Sequence, residues 1–345
     1  MTTRSTVLPR SDFLRAPVLA TARPEGYKEW HHFVVYRPDW RLLVNFSLTC
    51  ETHPVRPPRL VPRVIVVAHD RRWTGVVERF DDVEPDVSPD LGGLAVRGNQ
   101  MTLSHDGYRV VIDLPHHDIR GQLHFTPSGR PSVVVVTNEP VGDGRLNWLF
   151  VPRLRAHGWF RLCGREHRLE GDLAYHDHNW GRFRWGDDFG WTWGSVLPTT
   201  ADDPWSFVFT CRTDRRRLHA LAQVLHVWHY DRPIAVFRDA AVTLHSSGLL
   251  GRPPDCTLPP PMRLVLGGDA SDVPASIEIT AHRSGGEVRL DFRPQGYARL
   301  AQPSEVALDR SVLLYETSGT ASVTGIIDGE AIDFVGAGVF ELLHG

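Results

Sequence analysis

The chain has little cysteine and methionine (4 and 3 of 345 residues), no long apolar run and no excess of either charge. The cysteines, Cys50, Cys163, Cys211 and Cys256, lie far apart with no C-x-x-C pair, and their even count would allow two disulfides. A chain of this length buries enough apolar surface without disulfide staples, so scattered, reduced core thiols are expected. The longest apolar runs, such as residues 64–68 and 133–136, fall far short of the roughly 20 residues of a membrane-spanning helix. Residues 1–20 contain no apolar stretch of signal-peptide type, so a soluble, cytoplasmic protein is expected. Lys plus Arg number 38 against 41 Asp plus Glu, a net charge of -3. With no basic stripe, no nucleic-acid partner is expected.

Long helices are also missing. Glycine (30) and proline (26) are scattered through the whole chain, and no 12-residue amphipathic pattern stands out; a short turn is expected at 85–91. Strand patterns are plentiful. In 108–114, Tyr108, Val110, Ile112 and Leu114 alternate with polar neighbours, and in 287–293 Val288, Leu290 and Phe292 alternate with four charged residues. A period of two places successive side chains on opposite faces of a half-buried strand. Asp106-Gly107, Ser284-Gly285-Gly286 and Asp328-Gly329 separate such segments and supply the positive φ of tight hairpins. The expected class is all-β. Two proline-rich stretches, 54–62 and 253–261, read as long loops between barrel strands. The division into two domains is placed near residue 165, giving 1–165 and 166–345.

Residues 174–194 concentrate chemistry. Four of 11 tryptophans (Trp180, Trp185, Trp191, Trp193) lie here beside His176, Asp177, His178 and Asn179. Burying such polar groups without partners costs kilocalories each, so the plain reading is a hydrogen-bonded corner tying two domains together. Three functional readings compete with it. His176 and His178 share a strand face, as a metal site wants, but no third ligand follows at a diagnostic spacing, and His226 and His229 would have to be supplied by the fold. Nucleophilic catalysis lacks a G-x-S-x-G motif, and the nearest thiol is Cys163. The third reading is a carboxylic acid among aromatic rings, in which desolvation keeps Asp177 protonated.

The run Tyr175-His176-Asp177-His178-Asn179-Trp180-Gly181 resembles the signature of the carotenoid 1,2-hydratase (hydroxyneurosporene synthase) and AttH-like group. Two weaker matches flank it. Glu29-Trp30-His31-His32-Phe33 resembles the Glu-Trp-Trp-Tyr-Phe opening of that group, with His31 and His32 where Trp and Tyr are usual. Leu314-Tyr315-Glu316, Gly319 and the run from Gly336 to Glu341 resemble its closing strands. The resemblance implies two lipocalin-like antiparallel β-barrel domains packed side by side, the second carrying the central motif. It also implies a hydrophobic small-molecule substrate, a terpenoid or polyene.

On that resemblance Asp177 is the acid that protonates a C=C bond, and Trp191 and Trp193 hold the cation. Tyr175 or His176 positions the water that captures it. Trp185, Trp30, His178 and Asn179 complete the expected substrate-binding set, with His178 behind Asp177 if the strand is regular. Glu29 and Glu316 are expected as hydrogen-bonding partners at the domain junction, or in surface or strand-pairing roles. A pericyclase (Diels–Alderase) or isomerase of natural-product biosynthesis, or a non-catalytic lipocalin-like carrier, is the alternative. No cofactor and no metal are assigned. A carotenoid substrate would require peripheral access to a membrane, and no amphipathic anchor is present.

Overall fold

The computed structural model describes residues 12–70, 72–128, 133–186, 188–251, 273–307 and 309–344. Strands β1 (Tyr27–Tyr36), β2 (Arg41–His53), β3 (Arg56–Asp70), β4 (Arg72–Arg79), β5 (Asp86–Val87), β6 (Gly93–Val96), β7 (Asn99–Ser104), β8 (Gly107–Leu114), β9 (Ile119–Pro127), β10 (Val134–Val141), β11 (Gly144–Leu162) and β12 (Arg165–Arg182) form one sheet. Its order is β4-β3-β2-β1-β12-β11-β9-β8-β7-β6-β5, with β10 also paired to β11. A second sheet, β16-β15-β14-β13-β21-β20-β19-β18-β17, is built from β13 (Gly190–Pro198), β14 (Trp205–Thr213), β15 (Ala220–His229), β16 (Arg232–Arg238), β17 (Val242–Ser247), β18 (Ser276–Arg283), β19 (Gly286–Pro303), β20 (Ser311–Ile327) and β21 (Glu330–His344). The chain is all-β, as the alternation predicts. Among the described residues the one α-helix is α1 (Ala16–Ala22), with proline in its first turn, where the missing N–H costs nothing.

The three expected hairpins form, at β7–β8, β18–β19 and β20–β21. Two loop expectations fare differently. The run 54–62 is a turn followed by the start of β3, so Pro57, Pro58 and Pro62 lie within a strand. The run 253–261 lies outside the described residues, as does Cys256. Cys50, Cys163 and Cys211 are free thiols, but Cys163 is exposed at a hairpin tip and is no core thiol. At the expected turn of 85–91, the short strand β5 precedes a turn closed by Leu91 N–H donating to Ser88 O.

The compact units divide between Phe183 and Arg184, with the connections 37–41 and 69–74 grouped with the second. The division near residue 165 is corrected by the pairing of β12. Cys163 and Gly164, at φ 50° and 77°, form the tight turn of a hairpin joining β11 to β12, and β12 is paired along its length to β11 and over 173–182 to β1. The motif strand therefore belongs to the first unit. Gly181, near the end of β12, allows close approach of the strands: a Cβ there would sit 2.1 Å from the Arg145 carbonyl oxygen on β11. Pro152, which cannot donate to a ladder, falls at the register shift of β11 between Val151 and Leu154.

Candidate functional site

The motif lies on a central strand whose two faces are both buried, and their contents differ. β12 runs antiparallel to β1 with His31 opposite His178, His32 opposite Asp177 and Phe33 opposite His176. Directly opposed residues share a face. One face therefore carries Tyr175, Asp177 and Asn179 with Trp30 and His32; the other carries His176, His178 and Trp180 with Glu29, His31 and Phe33.

On the first face Asp177 is 3% exposed. The Tyr175 hydroxyl donates to its Oδ2 at 3.0 Å, and the Asn179 amide donates to its Oδ1 at 2.6 Å. Phe150 and Trp148 of β11 stand opposite Asp177 and Asn179. Both oxygens of Asp177 are engaged by donors, an arrangement that orients an acceptor.

The opposite face holds a buried network that spacing along the chain does not reveal. Asp12, in the segment leading into α1, accepts from Tyr108 on β8. It lies 3.1 Å from His176 Nε2 and 3.0 Å from His178 Nδ1. Glu29 accepts from the backbone N–H groups of Arg15 and Ala16 at 2.7 and 2.6 Å, so that it caps α1, and from the Tyr27 hydroxyl at 2.9 Å. Its Oε1 also meets His178 Nε2 at 2.7 Å. With a carboxylate at each ring nitrogen, His178 must donate twice. Burial opposes its charge, but the hydrogen bonds to Asp12 and Glu29 prevail and push it up to about 9. His31 stacks on His178 with ring centroids 3.9 Å apart. Around His176 the rings of Phe33 and Tyr108 pack at 4.3 Å each, with Phe125 stacked on Phe33. His176, expected to position a water near Asp177, is instead fully buried on the other face with both ring nitrogens engaged. His178 stands behind Asp177, as the strand alternation implies.

The remaining expected residues lie in the second unit. Trp185, Phe189 and Trp191 form an aromatic corner with centroids 5.4–6.1 Å apart. Trp193 stands opposite Glu341 on β21, and Glu341 stands opposite Glu316 on β20, so one face gathers two indoles and two carboxyls. Trp191 Nε1–H donates to Glu341 Oε1. Burial pushes Glu341 up to about 7, against the lowering effect of its hydrogen bonds to Glu316 and Trp191. Glu316 is thus a cross-strand partner. Asp12, Tyr108 and Glu341 had no role assigned from sequence; Asp12 and Tyr108 stand outside every motif, and Glu341 closes the weak C-terminal match.

No family model matches the chain, and no curated protein matches it in sequence. The fold does match solved structures. The chain has the all-β, lipocalin-like architecture of two antiparallel sheets shared by AttH-like proteins. A protein described as AttH from Nitrosomonas europaea superposes with a TM-score of 0.66 at 14% identity, over 99% of this chain and 98% of that one. CghA, solved with Sch210972, gives 0.62 at 14% identity over 93% and 89%. Kievitone hydratase from Nectria haematococca gives 0.57 at 11% identity over 99% and 96%.

Proposed function

We propose that the protein is an acid–base enzyme that adds a proton, and then water, to an electron-rich C=C bond of a hydrophobic small molecule, with Glu341 as the proton donor. The observation that carries this reading is the carboxyl pair Glu316–Glu341 beside Trp191, with Glu341 held at about 7. A general acid works best when its pKa lies near the working pH, and such a group contributes about 10²–10⁴-fold. The proton passes from Glu341 to the less substituted alkene carbon, leaving a carbocation on the other. The π faces of Trp185, Phe189 and Trp191 stabilise a cation by ~0.5–2 kcal/mol per ring. Water then adds to the cation and returns its proton to the carboxylate pair, so the sum is addition of H₂O. If water is kept out, loss of a proton or attack by a second double bond gives an isomer or a ring. A hydratase is among the proteins that share this fold, which makes hydration the first chemistry to test.

Asp177 is the second candidate acid. Its hydrogen bonds from Tyr175 and Asn179 suit a carboxylate acceptor better than a proton donor. The test is turnover of acyclic terpenoid and polyene substrates in H₂¹⁸O by the wild type, Glu341→Gln and Asp177→Asn. The expected result is a labelled hydrate from the wild type and Asp177→Asn, with turnover at least ~100-fold lower in Glu341→Gln. Loss in Asp177→Asn alone would move the acid to Asp177. Full activity in both variants would refute acid catalysis and leave a pericyclic reaction governed by shape.

A further inference from the structure

We infer that Asp12, His31 and His176 form a buried site for one divalent transition-metal ion of the zinc class, in the interior of the first unit. This inference is independent of the reading of Glu341. The three side chains each offer a ligand atom, and these atoms all lie within 4.8 Å of one another. They come from three places in the chain: the segment before α1, β1 and β12.

His176 shows why a positive centre is needed. Its Nδ1 lies 3.0 Å from the backbone carbonyl oxygen of His32. A carbonyl only accepts, so Nδ1 carries the hydrogen and the lone pair of a neutral ring is on Nε2. That lone pair faces a carboxylate oxygen, Asp12 Oδ2, at 3.1 Å. Two acceptors at that separation require either a second proton on His176 or a cation between them. A histidine whose other N–H is fixed by a backbone carbonyl is also the usual arrangement of a metal ligand.

His31 decides between the two. It is 1% exposed, and neither Nδ1 nor Nε2 has a hydrogen-bond partner among the described residues. Its Nδ1 is 4.0 Å from Asp12 Oδ1. Leaving buried polar atoms unpaired costs about 1–3 kcal/mol each. A second proton on His176 leaves His31 as it is, whereas an ion held by all three takes up one of its nitrogens. Ligand atoms about 2.0–2.2 Å from a tetrahedral zinc stand about 3.4 Å apart. The observed separations, 3.1 Å from His176 Nε2 to Asp12 Oδ2 and 4.0 Å from His31 Nδ1 to Asp12 Oδ1, involve the two oxygens of one carboxylate and lie on either side of that spacing.

Two imidazoles and one carboxylate suit zinc, cobalt, nickel or copper rather than magnesium or calcium. Glu29 is a poorer ligand, because its oxygens already accept from Arg15, Ala16, Tyr27 and His178. Tyr108 and His178 hydrogen-bond the Asp12 carboxylate and would orient it. The site is closed, on the face of β12 opposite Asp177, so the ion braces α1, β1 and β12 against one another.

The test uses the full chain, untagged and stripped with chelator, titrated with Zn²⁺ and with Co²⁺ as a spectroscopic probe. The expected result is about one ion per chain retained through desalting, with a rise in Tm. Co²⁺ should show the intense visible bands of a low-coordinate site. His31→Phe keeps the ring stack and removes the donor; its near-UV circular dichroism should match the wild type, with metal affinity at least ~10-fold lower. An unchanged Tm and no retained ion in the wild type would overturn the site. So would undiminished binding in His31→Phe, which would place the ion at other histidines. If His31→Phe does not fold, Asp12→Asn takes its place, and the wild-type Tm response to Zn²⁺ stands by itself.

Discussion

Glu29→Gln probes the buried network with the least change of shape. Glu29 is 1% exposed and accepts from four donors at 2.6–2.9 Å: two backbone N–H groups that start α1, the Tyr27 hydroxyl and His178. A glutamine keeps one acceptor oxygen and turns an NH₂ group toward the other donors. At least two hydrogen bonds to a charged group disappear, each worth about 1.5–3 kcal/mol, and a donor then faces donors. The expected loss is about 3–5 kcal/mol. Unfolding entropy is ~2.1 cal/mol/K per residue, and the first unit holds roughly 170 residues. If that unit melts on its own, the loss lowers its Tm by about 8–14 °C. The assay is calorimetry combined with near-UV circular dichroism melts, which separates the transitions of the two units. Tyr27→Phe removes one of the four donors and should cost about 1.5–3 kcal/mol. A Tm drop below about 3 °C for Glu29→Gln would refute the idea that this carboxylate holds the network together.

Other consequences are equally direct. Gly181→Ala places a Cβ 2.1 Å from the Arg145 carbonyl oxygen; the backbone ladder must shift, and denaturant unfolding should show a loss of at least ~2 kcal/mol. Phe33→Ala removes the ring stacked on Phe125 and His176 and should cost about 3–5 kcal/mol in the same assay. His226 is pushed down to about 4 by burial and then by Arg238. A histidine with a depressed pKa contributes stability that is present above about 6.5 and fades as the pH falls toward 4, by up to ~3 kcal/mol. Acid titration of His226→Phe should therefore lack that part of the decline. Glu341 must be protonated to act as an acid, so kcat/KM should fall as the pH rises through about 7. A flat profile from pH 5 to 9 would count against Glu341.

Alternation and turn chemistry made the all-β class and three hairpins readable from the sequence, because a strand's period and a tight turn's φ depend on residues next to one another. The same local rule separated Asp177 and Asn179 from His176, His178 and Trp180, and the structure keeps that division. Proline misled in one place: 54–62 looked like a loop, yet all but its first two residues are strand. The domain boundary was missed for a related reason. The Cys163–Gly164 turn is a break in the sequence but a hairpin in the sheet. Only strand pairing could assign β12 to the first unit.

The chemistry of the motif was decided by neighbours distant in the chain. Asp12 is 164 positions from His176 and 166 from His178, and Tyr108 is 96 positions from Asp12. No spacing rule links them, since each reaches the cluster by the order of strands in the sheet. The groups that meet His176 across the fold, Asp12 before α1 and His31 on β1, were therefore invisible as a set. Glu316 and Glu341 likewise become one carboxyl pair only through the register of β20 on β21, and burial then sets the Glu341 pKa. The sequence determined which side chains share a face of a strand. The tertiary structure decided which groups cover that face, and so which protons and ions it can hold.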